Sequence, residues 1–237
     1  MKIAYIMPRM DEAERRRREK TANDIADLST VKVLAMSEGP RTIESTVEEE
    51  LFVQGLLREL YEIEGKYDAV IIGCFGDPGL RAAREFSNMV IVGPAETTFH
   101  TACLVADRFS VITPLKRLIP STRSQVCAYG LSAKLASVRS LEVTIEEIVE
   151  NQEKITTKIE TAAEEAVRKD GAEALVLGCM SLGFILADEL VEVDAPILNP
   201  AKISIKMAEV MTSLKLRGSR RTYPKPDLEK IRHIFQE

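Results

Sequence analysis

The feature that most constrains this chain is an internal repeat. The stretch Asp68-Ala-Val-Ile-Ile-Gly-Cys74 returns as Glu173-Ala-Leu-Val-Leu-Gly-Cys179. Each copy runs from an acidic residue through four apolar residues to glycine and cysteine. A short apolar run closed by turn residues is the pattern of a strand buried on both faces. Other landmarks keep the same register. An apolar strand at 2–7 is stopped by Pro8, and another at 109–113 is stopped by Pro114. Pro8 precedes Cys74 by 66 residues, and Pro114 precedes Cys179 by 65. Cys74 to Pro94 is 20 residues and Cys179 to Pro200 is 21, in the matching turns Gly93-Pro-Ala-Glu96 and Asn199-Pro-Ala-Lys202.

Between these landmarks strands and helices alternate. Further strands are expected at 31–36, 68–73, 89–92, 135–138, 173–178 and 195–200. Helices are expected at 11–28, 43–64, 80–86, 96–107, 145–169 and 201–216. Continuous apolar strands alternating with helices define an α/β fold with parallel sheets covered on both faces. The repeat makes this two similar lobes, each a parallel sheet of about four strands flanked by helices. One lobe is expected to comprise 1–97 with 200–237 and to carry Cys74; the other, 98–199, carries Cys179. Copies of one lobe tend to meet about a pseudo-twofold axis, and ligands of parallel sheets lie at the carboxyl ends of the strands. An active site between the lobes, flanked by both cysteines, is therefore expected.

Composition removes several classes. A net charge of −5 and a pI near 5.4 argue against a nucleic-acid partner. The run Arg15–Arg18 lies among Asp11, Glu12, Glu14 and Glu19 and reads as the solvated face of a helix. No segment is long and apolar enough to span a membrane. The N-terminal apolar stretch is too short for a secretory signal and lacks a small-residue cleavage site. A cytoplasmic protein with four reduced cysteines is expected. Two histidines, with no Cys-x-x-Cys and no His-x-x-x-His, argue against a metal site. No Gly-x-Gly-x-x-Gly follows a strand, which disfavours a dinucleotide cofactor.

Two thiols on opposite faces of one carbon suit a reaction that needs no cofactor. A thiolate on one face removes a proton, and a thiol on the other returns one, which inverts the centre. Cys74 and Cys179 are accordingly the candidate acid–base pair; each is read as preceding a turn that opens a helix, which favours thiolate. Phe75, Gly76, Asp77, Met180 and Ser181, in the segments after the cysteines, are candidate substrate contacts. Backbone N–H groups there, at Gly76, Gly79, Ser181 and Gly183, are candidates to hold a carbonyl or carboxylate oxygen. Pro8, Arg9, Ser37 and Thr113, at other strand ends, are candidate orienting residues. Glu96 and His100, one helical turn apart, are possible helpers. Cys103 and Cys127 have no repeat counterpart and read as small packing residues. His233 lies in a polar tail and is given no role; the tail from Arg217 is expected to fray or to wrap a neighbouring subunit.

At these residues the sequence resembles the Asp/Glu/hydantoin racemase superfamily, and most closely its hydantoin racemase branch, which includes allantoin racemases. The resembling pieces are Gly73-Cys-Phe-Gly-Asp-Pro-Gly79 with Arg81-Ala-Ala-Arg-Glu85, Phe109-Ser-Val-Ile-Thr113 and Leu177-Gly-Cys179. Ser37-Glu-Gly-Pro-Arg-Thr-Ile-Glu44 and Ser219-Arg-Arg-Thr-Tyr-Pro224 belong with them. The resemblance implies Rossmann-like lobes, a cofactor-independent racemase with Cys74 and Cys179 as catalytic cysteines, and a homo-oligomer. The chain departs from the branch at two places. The branch's usual Asn-Pro-Asn-Thr/Ser turn is here Met7-Pro8-Arg9-Met10, and its Ala-Gly-Met after the second cysteine is Met180-Ser181-Leu182. Arg9 at the mouth would suit a carboxylate.

The leading expectation is racemisation at a carbon α to a carbonyl, on a 5-substituted hydantoin, allantoin or related ureide. The alternatives are an aspartate- or glutamate-type racemase, a one-cysteine enzyme resembling maleate isomerase or arylmalonate decarboxylase, and a binding protein without chemistry.

Overall fold

Strand β1 (Lys2–Met7) is buried from Ile3 onward and anchors the first sheet. In this computed structural model, which describes residues 1–186, 193–231 and 235, the chain divides into two units. The first is Met1–Gly93 with Ile205–Glu237, and the second is Pro94–Ser204.

In the first unit, β1 is followed by α1 (Glu12–Ile25), β2 (Thr30–Ala35), α2 (Thr46–Ile63), β3 (Ala69–Ile72), α3 (Leu80–Phe86) and β4 (Val90–Val92). The sheet order is β2-β1-β3-β4, with every pairing parallel. The second unit contains α4 (Pro94–Val105), β5 (Phe109–Thr113), α5 (Ile119–Ala128), β6 (Leu135–Ser140), α6 (Ile145–Glu150), α7 (Gln152–Asp170), β7 (Ala174–Leu177), α8 (Met180–Ile185) and β8 (Ile197–Leu198). Its order is β6-β5-β7-β8, again all parallel. The two sheets share one topology. Helix α9 (Pro200–Ser213) begins in the second unit and ends in the first.

The repeat extends into the cores. Phe52, Leu56, Leu60 and Ile63 form one face of α2 and pack with Ile6, Val70 and Ile72. Ile155, Ile159, Ala163 and Ala166 form one face of α7 at the same spacing and pack with Ile112, Leu175 and Leu177. Positions four, four and three residues apart place one stripe of a helix on a sheet. Each large side chain buried this way contributes roughly 1.5–3 kcal/mol.

The acidic residue that opens each repeated strand has a structural task. Asp68 Oδ2 accepts the N–H of Lys2 at 2.7 Å. Glu173 Oε2 accepts the N–H groups of Asp107 and Arg108 at 2.8 and 3.2 Å. Each acid thereby ties the start of its strand to the start of the neighbouring one.

Several expectations need correction. The helix expected over 145–169 is broken at Asn151, whose backbone (φ −140°, ψ 75°) leaves the helix and whose side chain accepts from the Lys154 N–H at 3.3 Å. Helix α5 was not anticipated; its polar sequence buries only Thr122 and Val126, too few for a visible period. The Arg15–Arg18 run is not a uniformly solvated face, because Arg18 is buried with its Nε 2.6 Å from Glu14. The tail from Arg217 contacts α3 and its carboxyl end in the first unit. Arg220 donates to the carbonyls of Arg84 (2.9 Å), Glu85 (3.2 Å) and Ser87, and Tyr223 lies under the guanidinium groups of Arg81 and Arg84. A cation at the carboxyl end of α3 also complements the helix dipole. His233 falls outside the described residues. No described helix is long and apolar enough to cross a membrane.

Candidate active site

Each cysteine is delivered by a glycine that admits no side chain. The Gly73 N–H meets the Ile6 carbonyl at 2.6 Å, and a Cβ on Gly73 would stand 2.3 Å from that oxygen. The Gly178 N–H meets the Ile112 carbonyl at 2.7 Å, and a Cβ there would stand 2.9 Å from Val111 Cγ1. The chain therefore leaves each sheet hard against the neighbouring strand, and the next residue is the cysteine. Cys74 is half-buried and Cys179 is buried, and neither is in a disulfide.

Beyond the cysteines the two segments differ. After Cys74 come two turns that share Asp77: its N–H bonds the Cys74 carbonyl at 3.2 Å, and its carbonyl accepts the Leu80 N–H at 3.1 Å. Asp77 is buried at φ +52°, a left-handed conformation that aspartate tolerates better than most residues. Gly79 (φ +72°) then caps α3. Cys179, by contrast, is itself the N-cap of α8, so no turn separates it from the helix. This corrects the expectation that both precede a turn. It also removes one candidate oxyanion donor, because the Gly183 N–H is bonded to the Cys179 carbonyl at 3.1 Å.

In the first unit Pro8, Arg9 and Ser37 share the carboxyl edge of the sheet with Cys74, Phe75, Gly76 and Asp77. Arg9 and Ser37 are exposed, and the Arg9 N–H is fixed on the Pro40 carbonyl at 3.1 Å. In the second unit Thr113, at the end of β5, shares the corresponding edge with Cys179, Met180 and Ser181, all of them buried. Glu96 and His100 belong to α4. The His100 ring is exposed, with Nδ1 2.7 Å from the Glu96 carbonyl oxygen and its edge toward Tyr129, so these contacts connect it to no cysteine. Cys103 is half-buried, and burial pushes its thiol up, against the opposing charge of Lys134. Cys127 is exposed on α5, so it is not the packing residue expected. Among the described residues no cluster of three or more His, Cys, Asp or Glu side chains is placed to hold a metal ion.

One residue beside Cys74 escaped the sequence reading. A Cβ on Gly76 would lie 2.5 Å from Glu49 Oε1 and 3.6 Å from Cys74 Sγ. The missing side chain of Gly76 thus leaves room for a carboxylate and a thiol on either side of it. Burial first, and then the charge of Glu50, push the Glu49 carboxyl above the usual range. Its sequence neighbours gave no signal, since Glu48, Glu49 and Glu50 form an ordinary acidic run at a helix start.

Two repeated α/β units, each a four-stranded parallel sheet whose third strand runs into glycine and cysteine, define a two-lobed α/β fold. The chain belongs to the Asp/Glu/Hydantoin racemase family, whose model matches residues 12–208. It is an isomerase of the racemase type. It is 32% identical to the hydantoin racemase of Paenarthrobacter aurescens over 233 residues, 95% of this chain and 98% of that one. The allantoin racemase from Klebsiella pneumoniae superposes with a TM-score of 0.89 at 27% identity, covering 96% of this chain and 94% of that one. An allantoin racemase from Pseudomonas fluorescens gives 0.88 at 25% identity, covering 96% and 97%.

Proposed function

We propose that this protein is a cofactor-independent two-cysteine racemase, with Cys74 and Cys179 addressing opposite faces of one carbon α to a carbonyl. The substrate class is a 5-substituted hydantoin, allantoin or related ureide, and the working form is a homo-oligomer in the cytoplasm. The observation that carries the reading is the paired delivery of the cysteines: the same glycine, bonded to the same position of the neighbouring strand at 2.6 and 2.7 Å, precedes each thiol. A racemase must process both hands of its substrate, so it needs a proton-transfer group for each face. Similarity to hydantoin and allantoin racemases over nearly the whole chain supports the substrate class. An aspartate- or glutamate-type substrate is less well supported, since its α-proton is far less acidic and demands more from the site.

The test is α-proton exchange in deuterium oxide with single enantiomers of substituted hydantoins, allantoin, aspartate and glutamate. Wild type should exchange and invert a hydantoin or ureide. Cys74→Ser and Cys179→Ser should each lose turnover by about 100-fold or more, the scale of a removed proton-transfer group. Wild-type exchange that survives either substitution would overturn the two-thiol mechanism. Exchange confined to aspartate or glutamate would overturn the substrate class.

A further inference from the structure

Glu49 has no assigned part in the two-thiol reaction, yet it shares the space at Gly76 with Cys74. It lies in the first turn of α2, half-buried, and its carboxylate has no hydrogen-bond or salt-bridge partner among the described residues. Its neighbour Glu48 is committed elsewhere, accepting the Glu44 N–H at 2.7 Å and the Ser45 hydroxyl at 2.9 Å. Gly76 has no Cβ to hold the two groups apart; one would be 2.5 Å from Glu49 Oε1. A half-buried charge interacts with a neighbouring titrating group more strongly than an exposed one, because water screens it less.

We propose that Glu49 acts through Cys74, its carboxylate opposing formation of the thiolate and holding Cys74 as the thiol that returns a proton to the substrate. The inference rests on the acid–base role given to Cys74 above. Glu49 would then favour the half-reaction in which Cys74 donates, and bias the two thiols toward different resting states. No new bond or co-reactant is involved; only the position of the thiol proton is biased. The other charged groups on the surrounding elements are Arg9 after β1, Glu38 and Arg41 in the loop after β2, Glu44, Glu48 and Glu50 around the start of α2 with Arg58, Glu59 and Glu62 further along it, Asp77 in the loop after Cys74, and Arg81, Arg84 and Glu85 on α3. Arg81 is paired with Glu85 at 3.1 Å, and Arg84 is directed at the Ile91 carbonyl and Tyr223. Glu49 Oε1 and Cys74 Sγ stand 2.5 and 3.6 Å from the point that a Cβ on Gly76 would occupy.

The experiment is alkylation of the full chain by iodoacetamide across pH, followed at the Cys74 peptide by mass spectrometry, for wild type, Glu49→Gln and Glu49→Asp. Removing a nearby negative charge makes the thiolate easier to form. In Glu49→Gln the Cys74 midpoint should fall by about one pH unit, while Glu49→Asp, which keeps the charge, stays near wild type. Cys127, exposed on α5, serves as the internal reference. A Cys74 midpoint that stays put or rises in Glu49→Gln overturns the proposal. The readout needs no substrate, so a failure of the coupling between Glu49 and Cys74 is distinguishable from a failure of the racemase reading.

Discussion

The carboxylate of Asp77 fills the space that a side chain on Gly93 would need: its Oδ2 stands 2.6 Å from where that Cβ would be. In the second unit the supplier is exchanged. Asn199, the repeat counterpart of Gly93, donates from Nδ2 to the Gly183 carbonyl at 2.8 Å. Its Oδ1 accepts the N–H groups of Ala201 and Lys202 at 2.9 and 3.2 Å. In the first unit the segment after the cysteine fills the gap, and in the second the proline turn does. Asn199→Ala would strand the buried Gly183 carbonyl and uncap α9. It should cost about 1–3 kcal/mol, the scale of an unsatisfied buried polar group, measured by urea unfolding.

The two glycines ahead of the cysteines should differ in tolerance. A Cβ at Gly73 meets backbone at 2.3 and 2.7 Å, whereas at Gly178 the contacts are 2.9 and 3.0 Å. Gly73→Ala should therefore destabilise by about 3 kcal/mol or more, and Gly178→Ala by about 1–3 kcal/mol, in the range of overpacked sites. Equal unfolding midpoints for the two variants would contradict this ordering.

The strap at the tail should be separable from the core. Arg220 holds carbonyls at the end of α3 and the Asn88 side chain, and Tyr223 is covered by two arginines. Arg220→Ala should cost about 1–3 kcal/mol, as for hydrogen bonds to a charged group. It should also expose the chain after Gly218 to limited proteolysis while leaving the sheets intact.

In the second unit, Arg139 makes a two-pronged contact with Asp170 at 2.6 and 3.0 Å and reaches Glu165 at 2.6 Å. The hydrogen bond from Arg139 holds the Asp170 carboxyl below its ordinary value, against the opposing effect of burial. A carboxyl depressed by folding stabilises the protein fully above its unfolded value of about 3.9, and the contribution is lost as pH falls through the folded value. Asp170→Asn should cost about 1–2 kcal/mol at pH 7 and less as the pH drops below about 4, read from denaturant unfolding at a series of pH values.

Arg9 offers a test of substrate charge. It is exposed just after the carboxyl end of β1. Arg9→Ala should raise KM for a carboxylated hydantoin by about 10-fold, the scale of one exposed charge-assisted contact, and leave a neutral one nearly unchanged. Equal effects on both substrates would remove Arg9 from recognition.

Much of this protein is legible in its sequence, because the signals are local. Four apolar residues closed by glycine make a buried strand wherever they occur, and their recurrence with Pro8, Pro94, Pro114 and Pro200 gives the two units and the strands that bear Cys74 and Cys179. The break at Asn151 was harder to see, since asparagine is tolerated inside a helix and only its backbone angles reveal that it caps one instead. Helix α5 was invisible because two buried positions make no period.

Which distant groups share a space is set by packing. Glu49 and Cys74 are 25 residues apart in sequence but flank Gly76 because α2 and the end of β3 pack on one sheet. Arg220 finds the end of α3, and Glu209 of α9 accepts the N–H groups of Asp27 and Leu28 and the Ser29 hydroxyl. Patterns of burial along the chain mark the strands, the units and the positions of the cysteines. These later contacts depend on how helices settle across the sheet, and spacing along a chain carries no record of that.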